Sequence, residues 1–262
     1  LSLRDFAYDD GRKSPCFPLW QRGIKSSGLF RENVFWTSMS MFPFMNLIVG
    51  RLENYRMKAL VALFSLSVLV SACAGAFHAK SAVGLGRQEL FRAQNQDALE
   101  SFEVAARADP GYLFGDDRPE GVFSYLGRAQ YLNGQYAQAR QSLERDLAQD
   151  PVNSLSRLYL GLTLVRLNER EKGLYDIVWG LTGIRHYINY YMTSDANDIR
   201  RFWDRHNQIR DAIASAVKMA ETPNVNWNAL IVFSERIALA WEQEPDFTRM
   251  SPEMKRPYNF NP

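Results

Sequence analysis

Cysteine, histidine and catalytic signatures are all scarce in this chain of 262 residues. Its two cysteines, Cys16 and Cys73, exclude a scaffold stapled by several disulfides. Its three histidines, His78, His186 and His206, are far apart, and none has a His four positions away or a Cys at zinc-ligand spacing. Phosphate-binding glycine loops, nucleophile elbows and zinc-protease helix motifs are missing, so the reading is no enzyme, no cofactor and no metal. The acidic pairs Asp116–Asp117 and Asp195–Asp198 suit turns and helix caps better than a cation. A basic excess is lacking too. The chain carries 31 Lys and Arg against 29 Asp and Glu, but nine of the basic and five of the acidic residues precede Cys73. The remainder is near −2, which gives no footprint for nucleic acid.

One apolar run stands out. Met57 and Lys58 are followed by Ala59–Val70, rich in Leu and Val, and then by Ser71, Ala72 and Cys73. A basic start, a short apolar stretch and small residues before a cut site describe a secretory signal peptide, here 57–72. Val70-Ser71-Ala72-Cys73 resembles the lipobox of bacterial lipoproteins. The resemblance implies cleavage before Cys73, acylation of its thiol and new amino terminus, and attachment by lipid alone. Ala74 after the Cys implies, by the same family's sorting rule, the periplasm-facing outer membrane. The competing reading is an uncleaved transmembrane helix over Ala59–Phe77, weakened by Ser65, Ser67, Ser71 and Gly75. Residues 1–56 have no sustained period and are expected to be a mis-extended start. The alternatives are a disordered basic extension or an apolar hairpin at Met39–Val49.

The rest of the chain has a beat. Gly86, Ala98 and Pro110 fall in 12-residue steps, as do Gly127, Ala139 and Pro151, and Gly161 lies 34 residues after Gly127. This pattern resembles the tetratricopeptide repeat, a helix–turn–helix unit that stacks into a solenoid. The resemblance implies an all-α fold with about three repeats over 79–187, joined to the lipid by a tether at 73–78. In that fold the small residues sit where the two helices cross. Leu85, Leu90, Phe102 and Ala105 are expected to fill repeat one, with Phe123, Leu126, Tyr131, Tyr136, Leu143 and Leu147 in repeat two. Leu160, Leu164 and Ile177 are assigned to repeat three. Gly173 stands where Ala is usual, no Pro closes the third unit, and 113–119 reads as a lengthened turn.

Beyond the repeats, 188–245 is expected to form capping helices. One runs from Asp198 to about Ala220 and a last one from Trp227 to Trp241, stopping before Pro245, with an extended tail over 246–262. The family resemblance also implies a concave face lined by first-helix residues. It should carry Arg87, Leu90, Ser124, Arg128, Tyr131, Leu158, Leu162 and Val165, with Val83 beside them and the two arginines gripping a peptide carboxylate. The function expected is a lipid-anchored periplasmic adaptor for protein or peptide partners in envelope assembly, secretion or peptidoglycan machinery. The alternative is an enzyme, enzyme subunit or small-ligand binder using the aromatic C-terminal helices around Tyr187, Tyr190, Tyr191 and Trp203.

Overall fold

The computed structural model describes residues 55–115, 118–193 and 197–260. The expected mis-extended start up to residue 54, the rival hairpin at Met39–Val49, and Asp116, Asp117 and Asp195 lie outside the described residues. The chain divides into two compact units, Leu1–Phe77 and His78–Pro262. The described part of the first unit is helical and lies within α1, Tyr55–Phe91. Leu60, Leu63 and Phe64 of the apolar run are exposed. Among the described residues no helix is long and apolar enough to cross a membrane.

The second unit is mostly helical. After α1 come α2 (Asn95–Ala108), a two-residue ladder of β1 (Leu113–Phe114) with β2 (Glu120–Gly121), α3 (Val122–Leu132) and α4 (Tyr136–Gln149). Then follow α5 (Ser154–Arg166), α6 (Arg170–Met192), a 3-10 turn at Ile199–Phe202, α7 (Gln208–Ala220) and α8 (Trp227–Met250). Pro110 and Pro151 stand just past α2 and α4, where the missing backbone donor ends a helix. Asn153 caps α5 by accepting from the amides of Leu155 and Ser156.

Three helix pairs are built alike. The first turn places Ala93 at φ 59°, the second Gly134 at φ 75°, the third Asn168 at φ 66°. Each follows its glycine (Gly86, Gly127, Gly161) by seven positions. The next amide closes the turn on a carbonyl five residues back: Gln94 to Glu89, Gln135 to Gln130 and Glu169 to Leu164. Side chains meet at a constant offset as well. A Cβ on Gly86 would lie 2.7 Å from the Phe102 ring, one on Gly127 2.6 Å from Leu143 Cγ, and one on Gly161 2.5 Å from the Ile177 nitrogen. Each neighbour is sixteen positions after its glycine. Ala98 and Ala139 are fully buried at the matching place on the second helix. In the third pair a Cβ on Gly173 would meet Gly161 O at 2.7 Å, so only glycine fits there.

The apolar residues form two clusters. One joins α1, α2 and α3 around Val83, Phe102 and Tyr125; the other joins α4 to α8 around Leu143, Leu162, Ile184 and Ile237. Each such fully buried side chain contributes about 1.5–3 kcal/mol.

Several expectations are corrected. Leu85, assigned to the core, is exposed, while Val83, expected on the open face, is fully buried. The lengthened turn at 113–119 begins with β1, which pairs antiparallel with β2: Leu113 with Gly121 and Phe114 with Glu120. The helix expected from Asp198 starts only at Gln208. The left-handed residues Asp204 and Asn207 interrupt it, and the Asp204 carboxylate caps α7 by accepting from the amides of Ile209 and Arg210. The last helix runs through Pro245 to Met250. Pro245 cannot donate to the Trp241 carbonyl four residues back, and Arg118 Nη1 donates to that carbonyl instead, at 3.2 Å. The tail after α8 is held down: Arg256 pairs with Glu244 at 3.2 Å and Tyr258 Oη donates to Glu244 at 2.6 Å.

Candidate functional site

The eight residues expected to line an open face come from α1, α3 and α5, and the structure does bring these helices together. It does not leave them open. Ser124, Arg128, Leu158 and Leu162 are fully buried, Leu90, Tyr131 and Val165 nearly so, and Arg87 is half-buried. The physical reason is α8. Glu235, Glu242 and Asp246 recur along it at spacings of seven and four, which places them on one helix side, and that side meets the cations of the face.

Arg128 is the centre of this seam. Its Nη2 lies 2.8 Å from Glu120 Oε2 and its Nη1 2.9 Å from Glu242 Oε2. Its Nε donates to Ser124 O, and its guanidinium lies 4.3 Å from the centre of the Tyr125 ring. Burial works against the charge of Arg128, but Glu242 and Glu120 outweigh it and hold the guanidinium above its usual range. Burial likewise opposes ionisation of Glu120, yet Arg128, Arg118 and Arg87 keep its carboxyl below the usual range. Arg118 pairs with Glu120 at 3.0 Å and stands 4.4 Å from the Trp241 ring centre. Further along α8, Tyr131 Oη donates to Glu235 at 2.5 Å.

The seam extends inward as a polar cluster. Ser124 Oγ donates to Glu120 Oε2 at 3.3 Å and lies 2.8 Å from Ser156 Oγ. Ser156 Oγ and Asn153 Nδ2 both donate to Asp146 Oδ2, at 2.7 and 2.9 Å. Burial pushes the Asp146 carboxyl up to about 7; the Ser156 donor and Arg128 act against it, and the nearby Glu120 and Asp150 carboxylates reinforce it.

Arg87 sits at the outer end and differs from Arg128. Its Nη2 reaches Asp246 Oδ2 at 2.8 Å, and its Nε faces Glu242 Oε1 at 3.8 Å, too far for a hydrogen bond. Both of those latter atoms are buried and make no hydrogen bond. The guanidinium stands 5.3 Å from the ring centres of Phe91 and Phe114 alike. Beside it opens a cleft of about 450 Å³ lined by Gly84, Gln88, Phe91, Phe114, Gln243, Phe247 and Met250.

Of the aromatic group offered as an alternative site, Tyr191 and Trp203 are buried while Tyr190 is exposed. Trp203 is fully buried, 5.8 Å from Tyr187 and 5.4 Å from Trp241, ring centre to ring centre. Asp198 caps the 3-10 turn and pairs with Arg200 at 2.8 Å. Among the described residues no group of three or more His, Cys, Asp or Glu is placed to hold a metal ion. Cys73 lies within α1. The residues that sequence reasoning missed are Arg118, Glu120, Glu235, Glu242 and Asp246. The spacing of the last three was a readable signal; the other two lie in and beside the two-residue ladder.

No protein-family model, curated protein or solved structure matches the chain.

Proposed function

We propose that this chain is a lipid-anchored, periplasm-facing adaptor of the tetratricopeptide kind, which docks protein partners in envelope assembly, secretion or peptidoglycan machinery. The observation that carries the reading is the threefold recurrence of one helix-pair geometry. Gly86, Gly127 and Gly161 each meet a neighbour sixteen positions on, and each is followed seven positions later by a left-handed turn residue. Stacked pairs of this kind present extended surfaces suited to polypeptides. The anchor rests on Val70-Ser71-Ala72-Cys73 after an apolar run. Because α8 covers the face at Arg128, docking is assigned to the outer end of that face, where Arg87 borders an open cleft.

The test is expression from Met57 with a labelled fatty acid, beside Cys73→Ser, combined with a photo-cross-linking residue in place of Gln88. The expected result is a labelled species lacking residues 57–72, lost in the Cys73→Ser form, that cross-links to a recurrent envelope protein. An unlabelled, uncut chain would overturn the anchor. A labelled, folded chain with no cross-linked polypeptide would overturn the docking role.

A further inference from the structure

We infer that Asp146, Ser156, Ser124 and Glu120 form a one-proton latch between α4, α5 and α3, closed while Asp146 carries a proton and opened when that proton leaves for solvent as the medium turns alkaline. The latch stands on the geometry of the cluster and not on the adaptor reading.

Four side-chain oxygens lie in a row. Asp146 Oδ2 is 2.7 Å from Ser156 Oγ, Ser156 Oγ is 2.8 Å from Ser124 Oγ, and Ser124 Oγ is 3.3 Å from Glu120 Oε2. Each of these contacts needs a proton between its two oxygens. The two hydroxyls supply one each, which leaves the row one proton short. All four residues are buried, so the missing proton belongs to a carboxyl group of the row itself. Glu120 is the wrong one. Its Oε2 takes Arg128 Nη2 at 2.8 Å and its Oε1 faces Arg118 Nη2 at 3.0 Å, which keeps it ionised. Asp146 Oδ2 is met instead by the neutral donors Ser156 and Asn153, and its Oδ1 lies against Gly121, where a Cβ would come within 2.5 Å. Of the charged groups around Asp146, Glu120 of β2 and Asp150 at the end of α4 favour the proton and Arg128 of α3 opposes it, while burial holds the carboxyl up to about 7.

With the proton in place the row runs in one direction. Asp146 donates to Ser156, Ser156 to Ser124 and Ser124 to Glu120, and Asn153 Nδ2 still donates to the protonated oxygen. When the proton leaves, two carboxylates draw on two hydroxyls. A hydrogen bond to an ionised acceptor is about twice as strong as one to a neutral acceptor, so Ser156 turns to Asp146 and Ser124 keeps to Glu120. The contact left without a proton is the one between Ser124 and Ser156, where two oxygens then face each other at 2.8 Å and repel. These serines occupy the first turns of α3 and α5. The latch therefore grips the second helix pair to the third in acid and releases that grip as pH rises through about 7.

The test uses the purified full chain with isotope-labelled aspartate carboxyls, so that NMR reads the titration of Asp146 directly, its signal assigned with Asp146→Asn. Ser124 acts on Asp146 through Ser156. In Ser124→Ala the Ser156 hydroxyl loses its second acceptor and turns to the Asp146 carboxylate, so the affinity of Asp146 for its proton is expected to fall about tenfold. Ser124→Cys, close in volume and a weak acceptor, is expected to act in the same direction and serves where the alanine chain does not fold. Burial alone would leave that affinity where it is, and an unchanged or raised affinity would overturn the latch. A double-mutant cycle between Ser124→Ala and Ser156→Ala, read by urea unfolding at about pH 5 and about pH 8.5, tests the opening. The coupling is expected to be favourable in acid and lost in alkali, and to be the same at both pH values in an Asp146→Asn background. Equal coupling at the two pH values in the native background would overturn the latch as well.

Discussion

Arg87 and Arg128 hold the same repeat position, one residue after Gly86 and Gly127, yet they live in different surroundings. Arg128 is sealed between Glu120 and Glu242, with 1% of its side chain exposed, while Arg87 keeps 16% and borders a cleft. In the third unit the same position is Leu162, fully buried among α5 and its neighbours. The repeat decides where a side chain emerges. What covers it is decided by α8, which lies outside the repeats. A position read as one functional class across repeats therefore splits into a structural ion pair, an apolar core residue and a partly open cation.

The sharpest way to break this comparison is to remove each cation. Arg128→Gln leaves Glu120 and Glu242 as buried carboxylates short of a partner and should cost about 3–5 kcal/mol in urea unfolding. Arg87→Gln should cost about 1 kcal/mol or less, because its main partner is half-exposed. Equal losses would mean that the two sites are alike.

The polar cluster behind Arg128 adds a titration. Asp146 has its carboxyl pushed up to about 7 in the folded chain, against an ordinary value near 3.9 when unfolded. The folded state therefore binds the extra proton between these limits. Its contribution is fully present below about pH 4 and is lost as pH rises through 7, by up to about 4 kcal/mol. Urea midpoints at pH 5 and pH 8 should fall for the native chain much more than for Asp146→Asn, which carries no titrating group there. Parallel falls would remove Asp146 as the cause.

A smaller effect tests the frame on which both arginines sit. Ala93 adopts φ 59°, where the matching residue of the second unit is Gly134. Ala93→Gly should raise stability by about 1 kcal/mol, since the left-handed backbone strains any residue with a Cβ. Gly134→Ala should lower it by a similar amount. Thermal melts of the two variants check this, and shifts in the same direction would contradict the equivalence of the turns.

The helix pairs were legible because their signal is local: Gly86, Ala98 and Pro110 mark a close crossing and a helix stop within one pair. The helical character of 227–241 was legible for the same reason. What was not legible is non-local. Pro245 reads as a stop, yet the helix continues, and Arg118, 123 residues before Trp241, donates to the Trp241 carbonyl that Pro245 leaves unbonded. Ser124, Arg128 and Tyr131 share one side of α3, but nothing in that periodicity says that Glu235 and Glu242 will lie against it. Leu85 was assigned inward and Val83 outward because a helix turns 100° per residue, so a small error in the assumed facing exchanges the two.

The most direct measurement is a pair of double-mutant cycles, Arg128 with Glu242 and Arg87 with Asp246, each at low salt and at about 1 M salt, where screening reaches only exposed charges. The expected result is a coupling of about 2 kcal/mol or more for the first pair, indifferent to salt, and below about 1 kcal/mol for the second, vanishing in salt. Equal couplings with equal salt dependence would contradict the division of one helix-pair position into a sealed pair and an exposed one.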